Sequence, residues 1–420
     1  MLISLPCRVP QGLLQLLQLL RSLQRTCVWA VLLVLTTLSG VSVVQAEGDG
    51  VPTATATHLI QVGPQRAVRT LAEAARLARD GDTVELDAAE YAGDAAIAVW
   101  TQDNLTIRAV GVGGRARLVA AGKSAEQKGI WVVRGGAITV EHLDFFGARV
   151  DDLNGAGIRF EKGHLTVRDC RFLDNQNGIL TGGDAKAELD IENSESGHNG
   201  AGDGLSHNLY VGAIARLRVT GSYSHHARGG HLLKSRAVEN FIFYNRLTDE
   251  TGGQASYELE FPNGGTAYVV GNLIEQSAQT QNPHLISFGA EGYRWPRNEI
   301  YLSHNTLVDD RPAGGIFLRV SPGAGKVRLV NNLLLGRGVF EPVGDAVVAN
   351  NPRLSAGDFA AADRQDYRLK KIVRLPGKLA DPGTANGVDL RPQREYVHPR
   401  QTRALANGAS LPGALQTRAP

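Results

Sequence analysis

The chain is poor in what most globular folds lean on. Methionine occurs once in 420 residues, aromatics make up 6%, and there are three cysteines. With 49 glycines, that scarcity argues against a helical bundle and for a chain of many tight turns. Neither charge sign dominates, since 44 Lys and Arg face 42 Asp and Glu, for a net charge of +2. No basic block stands out, which excludes a dedicated nucleic-acid binder with its stripe of Lys and Arg. No zinc-ligand spacing and no Ser-His-Asp or Cys-His set is present. The acid pairs Asp309-Asp310 and Asp249-Glu250 could hold calcium, but no spaced oxygen-ligand motif accompanies them, so no cofactor is expected.

Residues 1–46 differ from the rest. Arg8, Arg21 and Arg25 precede an apolar run at 28–38, and Val44-Gln45-Ala46 has the small-x-small form of a signal-peptidase site. The expectation is an exported protein, periplasmic or extracellular. The alternative is an uncleaved anchor, although the run is shorter than the ~20 residues that span a bilayer; membrane contact is expected only through such a segment. After cleavage Cys170 stands alone, so stability must come from a large packed core rather than a disulfide. A linker is expected over 47–69, a repeat region over 70–369 and a partly irregular extension over 370–420.

The repeat emerges when the ends of short apolar strands are aligned: His142-Leu143-Asp144-Phe145, Asp169-Cys170-Arg171-Phe172, Asn193-Ser194-Glu195-Ser196, Gly221-Ser222-Tyr223-Ser224, Tyr244-Asn245-Arg246-Leu247, Gly271-Asn272-Leu273-Ile274, His304-Asn305-Thr306-Leu307 and Asn331-Asn332-Leu333-Leu334. The second residues are about 27 apart, within the range that marks solenoids, propellers and arrays. The strands are too short for propeller blades, and no repeat has helix-length apolar periodicity. A parallel β-helix of three short strands per coil remains. Asn245, Asn272, Asn305 and Asn332 are expected to stack as a ladder of amides that satisfies the backbone at an inward bend. Cys170, Ser194 and Ser222 take that place earlier, making Cys170 a buried structural residue. Leu71, Ala74, Ala75 and Ala78 have helical spacing before the stop at Asp80-Gly81, as a cap on the open solenoid end requires.

The opening Arg69-Thr70-Leu71-Ala72-Glu73-Ala74 to Gly81-Asp82-Thr83-Val84, the Asn-ended coils and the closing Asp366-Tyr367-Arg368-Leu369 resemble right-handed parallel β-helix repeat proteins of the pectin-lyase-like superfamily. The resemblance covers about 70% of the chain. It implies an all-β fold and a polysaccharide partner, and it leaves the chemistry open, because this fold hosts lyases, hydrolases, epimerases and binding proteins.

Reactive side chains are densest between His207 and Glu260. His207, Tyr210, His225 and His226 come first, then His231, Lys234 and Arg236, then Tyr257, Glu258 and Glu260. Neighbouring coils stack ~4.8 Å apart, which gathers such residues on one face. A cationic neighbour makes a lysine a better base, and an arginine can grip a carboxylate with two parallel bonds. That pair suits β-elimination from a uronic acid, or its sibling, C5 epimerisation. Arg236 or a histidine would neutralise the carboxylate, Lys234 take the C5 proton, and Tyr210 or Tyr257 protonate the leaving oxygen. Lyases with this fold similarly use Lys and Arg, commonly on separate coils; here both lie in one. The catalytic candidates are therefore Lys234, Arg236, His231, Tyr210 and His207, with Tyr257, Glu258, Glu260, His225 and His226 binding substrate.

A glycoside hydrolase is the second reading. Glu258 and Glu260 share a side of an extended strand ~6.6 Å apart, a spacing compatible with acid-base work, or with ion pairs to the coil below. A non-catalytic polysaccharide binder is the third, with Tyr210, Tyr244, Tyr257 and Tyr293 as an outward stacking ladder. His225 and His226, adjacent in a strand, are expected to point apart and so not share a metal. His142, His164, His198 and His304 read as isolated structural residues.

Overall fold

A computed structural model describes residues 58–419, apart from 281, 342, 343 and 376. The expected leader and cleavage site lie outside the described residues. Among those described, no helix is long and apolar enough to cross a membrane.

Each coil carries three short strands, and each strand pairs in parallel with its equivalents before and after. The result is three parallel sheets of 12, 11 and 10 strands, called here sheets I, II and III in the order a coil visits them. One coil runs through Ala137–Glu141, Leu143–Phe146 and Ala156–Phe160. Alternate residues point inward, and the interior is a continuous apolar column. Its aromatics contact one another along the column, edge to face from Trp100 to Trp131 and on to Phe145, then stacked from Phe145 to Phe172, at 4.9–5.2 Å between rings. This is a right-handed parallel β-helix, as the repeat length and turn chemistry imply.

The bend from sheet I to sheet II explains the aligned motif. Its first residue is left-handed in every coil, from His142 (φ 61°) to Asn331 (φ 57°), and the next one turns inward. Asn272 Oδ1 accepts from the Asn245 backbone N–H at 2.9 Å and its side-chain amide at 3.0 Å, while Asn272 Nδ2 donates to Ile242 O at 2.7 Å. The same bonds recur at Asn305 and Asn332 and extend to Asn351. Upstream, Ser222 donates its backbone N–H to Asn245, Ser194 to Ser222, and Cys170 to Ser194. Cys170 is a free, buried ladder residue, its thiol pushed up to about 12 by burial.

The ends differ from expectation in detail. Thr70 caps helix α1 (Leu71–Leu77) by accepting from Glu73 N at 3.2 Å, and α1 buries Leu71, Ala74 and Ala75. Leu59–Val62, inside the expected linker, already pairs with Thr83–Asp87 in sheet I, because its alternating Leu-Ile-Gln-Val covers the next coil's edge. The solenoid strands end at Arg353–Leu354; Asp366–Leu369 instead forms an antiparallel hairpin with Phe359–Ala361. The C-terminal extension lies along the coils. Its Leu390 is fully buried, Gln393 N donates to Tyr244 Oη at 3.1 Å, and Asn386 Nδ2 donates to Glu299 at 2.8 Å.

Candidate functional site on sheet III

Sheet III places side chains in rows with the spacing of the coils. The register Leu180↔Tyr210↔Lys234↔Glu260↔Ser287↔Arg319 builds one row, which continues upstream through Arg159, paired with Leu180, to Val132 and Val99. Three residues before each central member lies a second row of His207, His231, Tyr257 and His284. Its rings contact in sequence, with centroids 4.4, 4.8 and 6.1 Å apart. Seven of the expected site residues are thus gathered here: His207, Tyr210, His231, Lys234, Arg236, Tyr257 and Glu260.

Charge is tightly paired across the rows. Lys234 Nζ lies 3.2 Å from Glu260 and 3.3 Å from Glu291. Arg236 grips Glu291 with two bonds of 2.7 and 3.0 Å, donates from Nε to Tyr210 Oη at 3.0 Å, and also reaches Asn263. Because Tyr210 Oη accepts from Arg236, its own hydroxyl hydrogen points elsewhere and is free to be donated. Glu291 is 45% exposed, whereas Lys234 and Arg236 are 13% and 19% exposed, so the glutamate forms the solvent side of the set. Arg236 foremost, with Lys234, holds the Glu291 carboxyl below the usual range.

The histidines lie beneath. His231 contacts Glu260 through Nε2 at 2.8 Å and Ser256 Oγ through Nδ1 at 2.9 Å. Burial keeps His231 below its ordinary value despite Glu260. Burial works the other way on Glu260, where the bonds and charges of His231 and Lys234 win and hold the carboxyl low. A neutral His231 donating from Nε2 to an ionised Glu260, and accepting from Ser256 at Nδ1, satisfies both directions. His207 Nδ1 accepts the His231 backbone N–H at 2.9 Å, and burial, then His231, Lys234 and Arg236, hold it well below the usual histidine range. The buried layer fixes Glu260, and Glu260 fixes Lys234.

Three expected members lie elsewhere. Glu258 does not share a side with Glu260. It precedes the strand Leu259–Phe261, where alternation no longer applies, and is fully buried. Its neighbours there are Thr280, Asp249 and Glu275, which removes the proposed carboxylate pair. His225 belongs to sheet II, and His226 follows it on that side, away from Lys234. They do not point apart either: His226 is left-handed (φ 46°), the chain turns, and the two Nδ1 atoms lie 2.9 Å from each other. His198, expected to be isolated, stacks on His226 at 4.9 Å. Nor do the tyrosines form one ladder, since Tyr244 is buried under the extension and Tyr293 is half-buried with Oη on Ser321 O at 2.6 Å.

The sequence reading missed Glu291, Asn263, Ser256 and His284. The last was accessible: His207, His231, Tyr257 and His284 follow the spacing of Tyr210, Lys234, Glu260 and Ser287. Glu291 comes from a loop between coils flanked by Gly289 (φ 82°) and Gly292 (φ 86°), and backbone bonds to the previous coil place it, among them Glu291 N to Pro262 O at 2.9 Å and Gly289 N to Phe261 O at 2.9 Å.

The fold and the rows on sheet III define a parallel β-helix solenoid. Among solved structures, pectate lyase Pel9A is similar, with a TM-score of 0.56 at 13% identity over 87% of this chain and 97% of that one. No family model and no curated protein matches the sequence.

Proposed function

We propose that the protein is exported and acts on an extended, uronic-acid-containing polysaccharide laid along sheet III, cleaving it by β-elimination or epimerising it at C5. The observation that carries this reading is the set Tyr210, Lys234 and Arg236, held together on a half-open sheet face with a carboxylate already seated in the Arg236 fork. The row around it has cations at Arg159, Lys234 and Arg319, each three coils from the next, or ~29 Å end to end at ~4.8 Å per coil. That suits an anionic polymer. The solved relative in fold is titled a pectate lyase, which agrees with a polysaccharide substrate.

In this mechanism the substrate carboxylate replaces Glu291 on Arg236, and the guanidinium neutralises it so that the C5 proton becomes removable. Lys234, once its ammonium has given a proton to solvent, is the base that takes that proton. The electron pair becomes a C4–C5 double bond, the C4–O4 bond breaks, and Tyr210 protonates O4. In the epimerase variant O4 stays bound and C5 is reprotonated from the other face, where Tyr257 of the second row is the donor. Ser256, His231 and Glu260 act as a positioning chain behind Lys234.

The test is a screen of pectate, alginate, glycosaminoglycans and bacterial exopolysaccharides. Ultraviolet absorbance reports the unsaturated product, proton exchange at C5 reports epimerisation, and reducing ends report any cleavage. Wild-type protein should give one of the first two signals and Lys234→Ala neither, with its fold intact. Full activity in Lys234→Ala overturns the assignment. Reducing ends without the chromophore point to a hydrolase, and retardation on a polysaccharide gel without turnover to a binder.

A further inference from the structure

A second cluster lies on the other side of the solenoid, where sheet II turns toward sheet III. His198, His225 and His226 each bring a ring nitrogen to within 4.8 Å of the others. The sheet II register pairs Gly197 with His225, so His198 and His226 occupy equivalent places one coil apart. Both are left-handed, at φ 54° and 46°, a conformation uncommon outside glycine and costly for larger side chains. Their rings nevertheless stack at 4.9 Å, with an interplanar angle of 27°. The same place is left-handed at Gly147 and Asp174 in the two preceding coils, so the conformation belongs to the coil and the paired imidazoles are what is particular to these two.

The orientation of His225 is the second observation. Its Nδ1 faces His226 Nδ1 at 2.9 Å, and its Nε2 lies 3.5 Å from Glu195 Oε1. One nitrogen toward the cluster and the other toward a carboxylate is the arrangement by which a metal-bound histidine is oriented and made more basic. Glu195 is itself braced by Arg400 of the C-terminal extension at 3.8 Å. The three residues differ in exposure, His225 being buried, His226 half-buried and His198 exposed, so the cluster opens outward. His226 also lines a cleft of about 720 Å³ between sheet II and the extension, with Tyr223, Arg246, Glu250, Tyr396 and His398 on its walls.

We propose that His198, His225 and His226 form a three-imidazole site for a borderline divalent transition metal, zinc being the reference member, with a fourth position left for water or a ligand from the adjoining cleft. Imidazole donors select zinc, copper and nickel over calcium and magnesium. Metal–nitrogen bonds of ~2.0–2.1 Å place tetrahedral donors ~3.3 Å apart, reached from this cluster by small ring rotations. The site is separate from the sheet III rows and stands or falls independently of them.

The test uses the full exported protein, stripped with a chelator and titrated with Co²⁺ as a visible-absorbing probe, then with Zn²⁺ as competitor. One equivalent of Co²⁺ should give the intense d–d bands of a four-coordinate site, displaced by stoichiometric Zn²⁺. His198→Asn and His226→Asn, which keep a residue at ease in the left-handed region, should abolish the bands. Glu195→Gln should weaken binding ~10–100-fold. His142→Asn, another left-handed histidine but paired with Asp169, should change nothing. Absence of saturable Co²⁺ binding by the wild-type protein overturns the proposal, as does binding that persists in both His198→Asn and His226→Asn.

Discussion

Raising the pH from 5 to 8.5 should destabilise the fold through the carboxyls buried beside Glu258. Asp249 and Glu275 are 0% and 1% exposed. Burial pushes Asp249 up to about 7 and Glu275 up to about 8, and it carries Glu258 upward as well. The unfolded chain releases these protons near pH ~4, while the folded chain holds them. Between those limits the folded state binds more protons, so stability falls as pH rises. The benefit of the neutral forms is complete below ~4 and is lost progressively up to about 7 and 8.

Each tenfold difference in proton affinity is ~1.4 kcal/mol, which caps the effect at ~4 kcal/mol for Asp249 and ~5 kcal/mol for Glu275. Local opening and water entry relieve part of it, and ~3 kcal/mol is the expected sum for the two. With ~2.1 cal/mol/K of unfolding entropy per residue over roughly 360 residues, that lowers Tm by ~4 °C. The assay is thermal unfolding across this range for wild-type protein and the double variant Asp249→Asn/Glu275→Gln, whose amides imitate neutral carboxyls. The variant curve should be flatter by about that amount. Parallel curves would refute the reasoning, since every other titrating group is common to both proteins.

Other consequences can be measured directly. Asn272→Leu leaves the Asn245 N–H and the Ile242 carbonyl unpartnered in the bend, and should cost ~1–3 kcal/mol in urea unfolding; an unchanged midpoint would contradict the ladder. Glu291→Gln weakens a charge-assisted grip on Arg236, so KM for the anionic polymer should fall ~10-fold or more; a raised KM would show that Glu291 aids binding instead. Tyr210→Phe should lower kcat ~10²–10⁴-fold with KM little altered, and equal kcat would remove Tyr210 as the proton donor.

The solenoid was legible because its constraints repeat. A bend that needs one left-handed residue and one inward-turned residue recurs in every coil, the second being Asn in the last four and Cys or Ser in the three before them, and eight such pairs align without a structure. The site was legible only where it obeys that period. Tyr210, Lys234 and Glu260 hold equivalent strand places and meet as alternation demands. Where the chain leaves the strand, alternation misleads. Glu258 stands one residue before its strand and turns into an acidic interior, while the left-handed bend at His226 folds its ring back on His225. Glu291 has no periodic signal, because a loop between coils is positioned by backbone bonds to the previous coil.

The sheet III site is balanced in charge, and that balance bears on what can bind there. Lys234 and Arg236 face Glu260 and Glu291, two cations against two carboxylates, so the resting site offers no net attraction to a neutral sugar or to a cation. The two acids are not equivalent. Glu260 is 5% exposed and held from behind by His231, whereas Glu291 is 45% exposed and reaches in from a loop. Exchange is therefore cheap on one side only. A ligand carboxylate that replaces Glu291 restores every bond Arg236 loses, while a hydroxyl cannot, because a half-buried guanidinium deprived of its ionic partner bears part of a desolvation cost. On the proposed function, selectivity for acidic over neutral polysaccharides would reside in the Arg236 fork. Arg236→Lys keeps the charge and loses the two-bond geometry, so it should erode discrimination between a uronan and its carboxyl-reduced form. If that variant discriminates as sharply as the wild-type protein, the carboxylate is read elsewhere on the row.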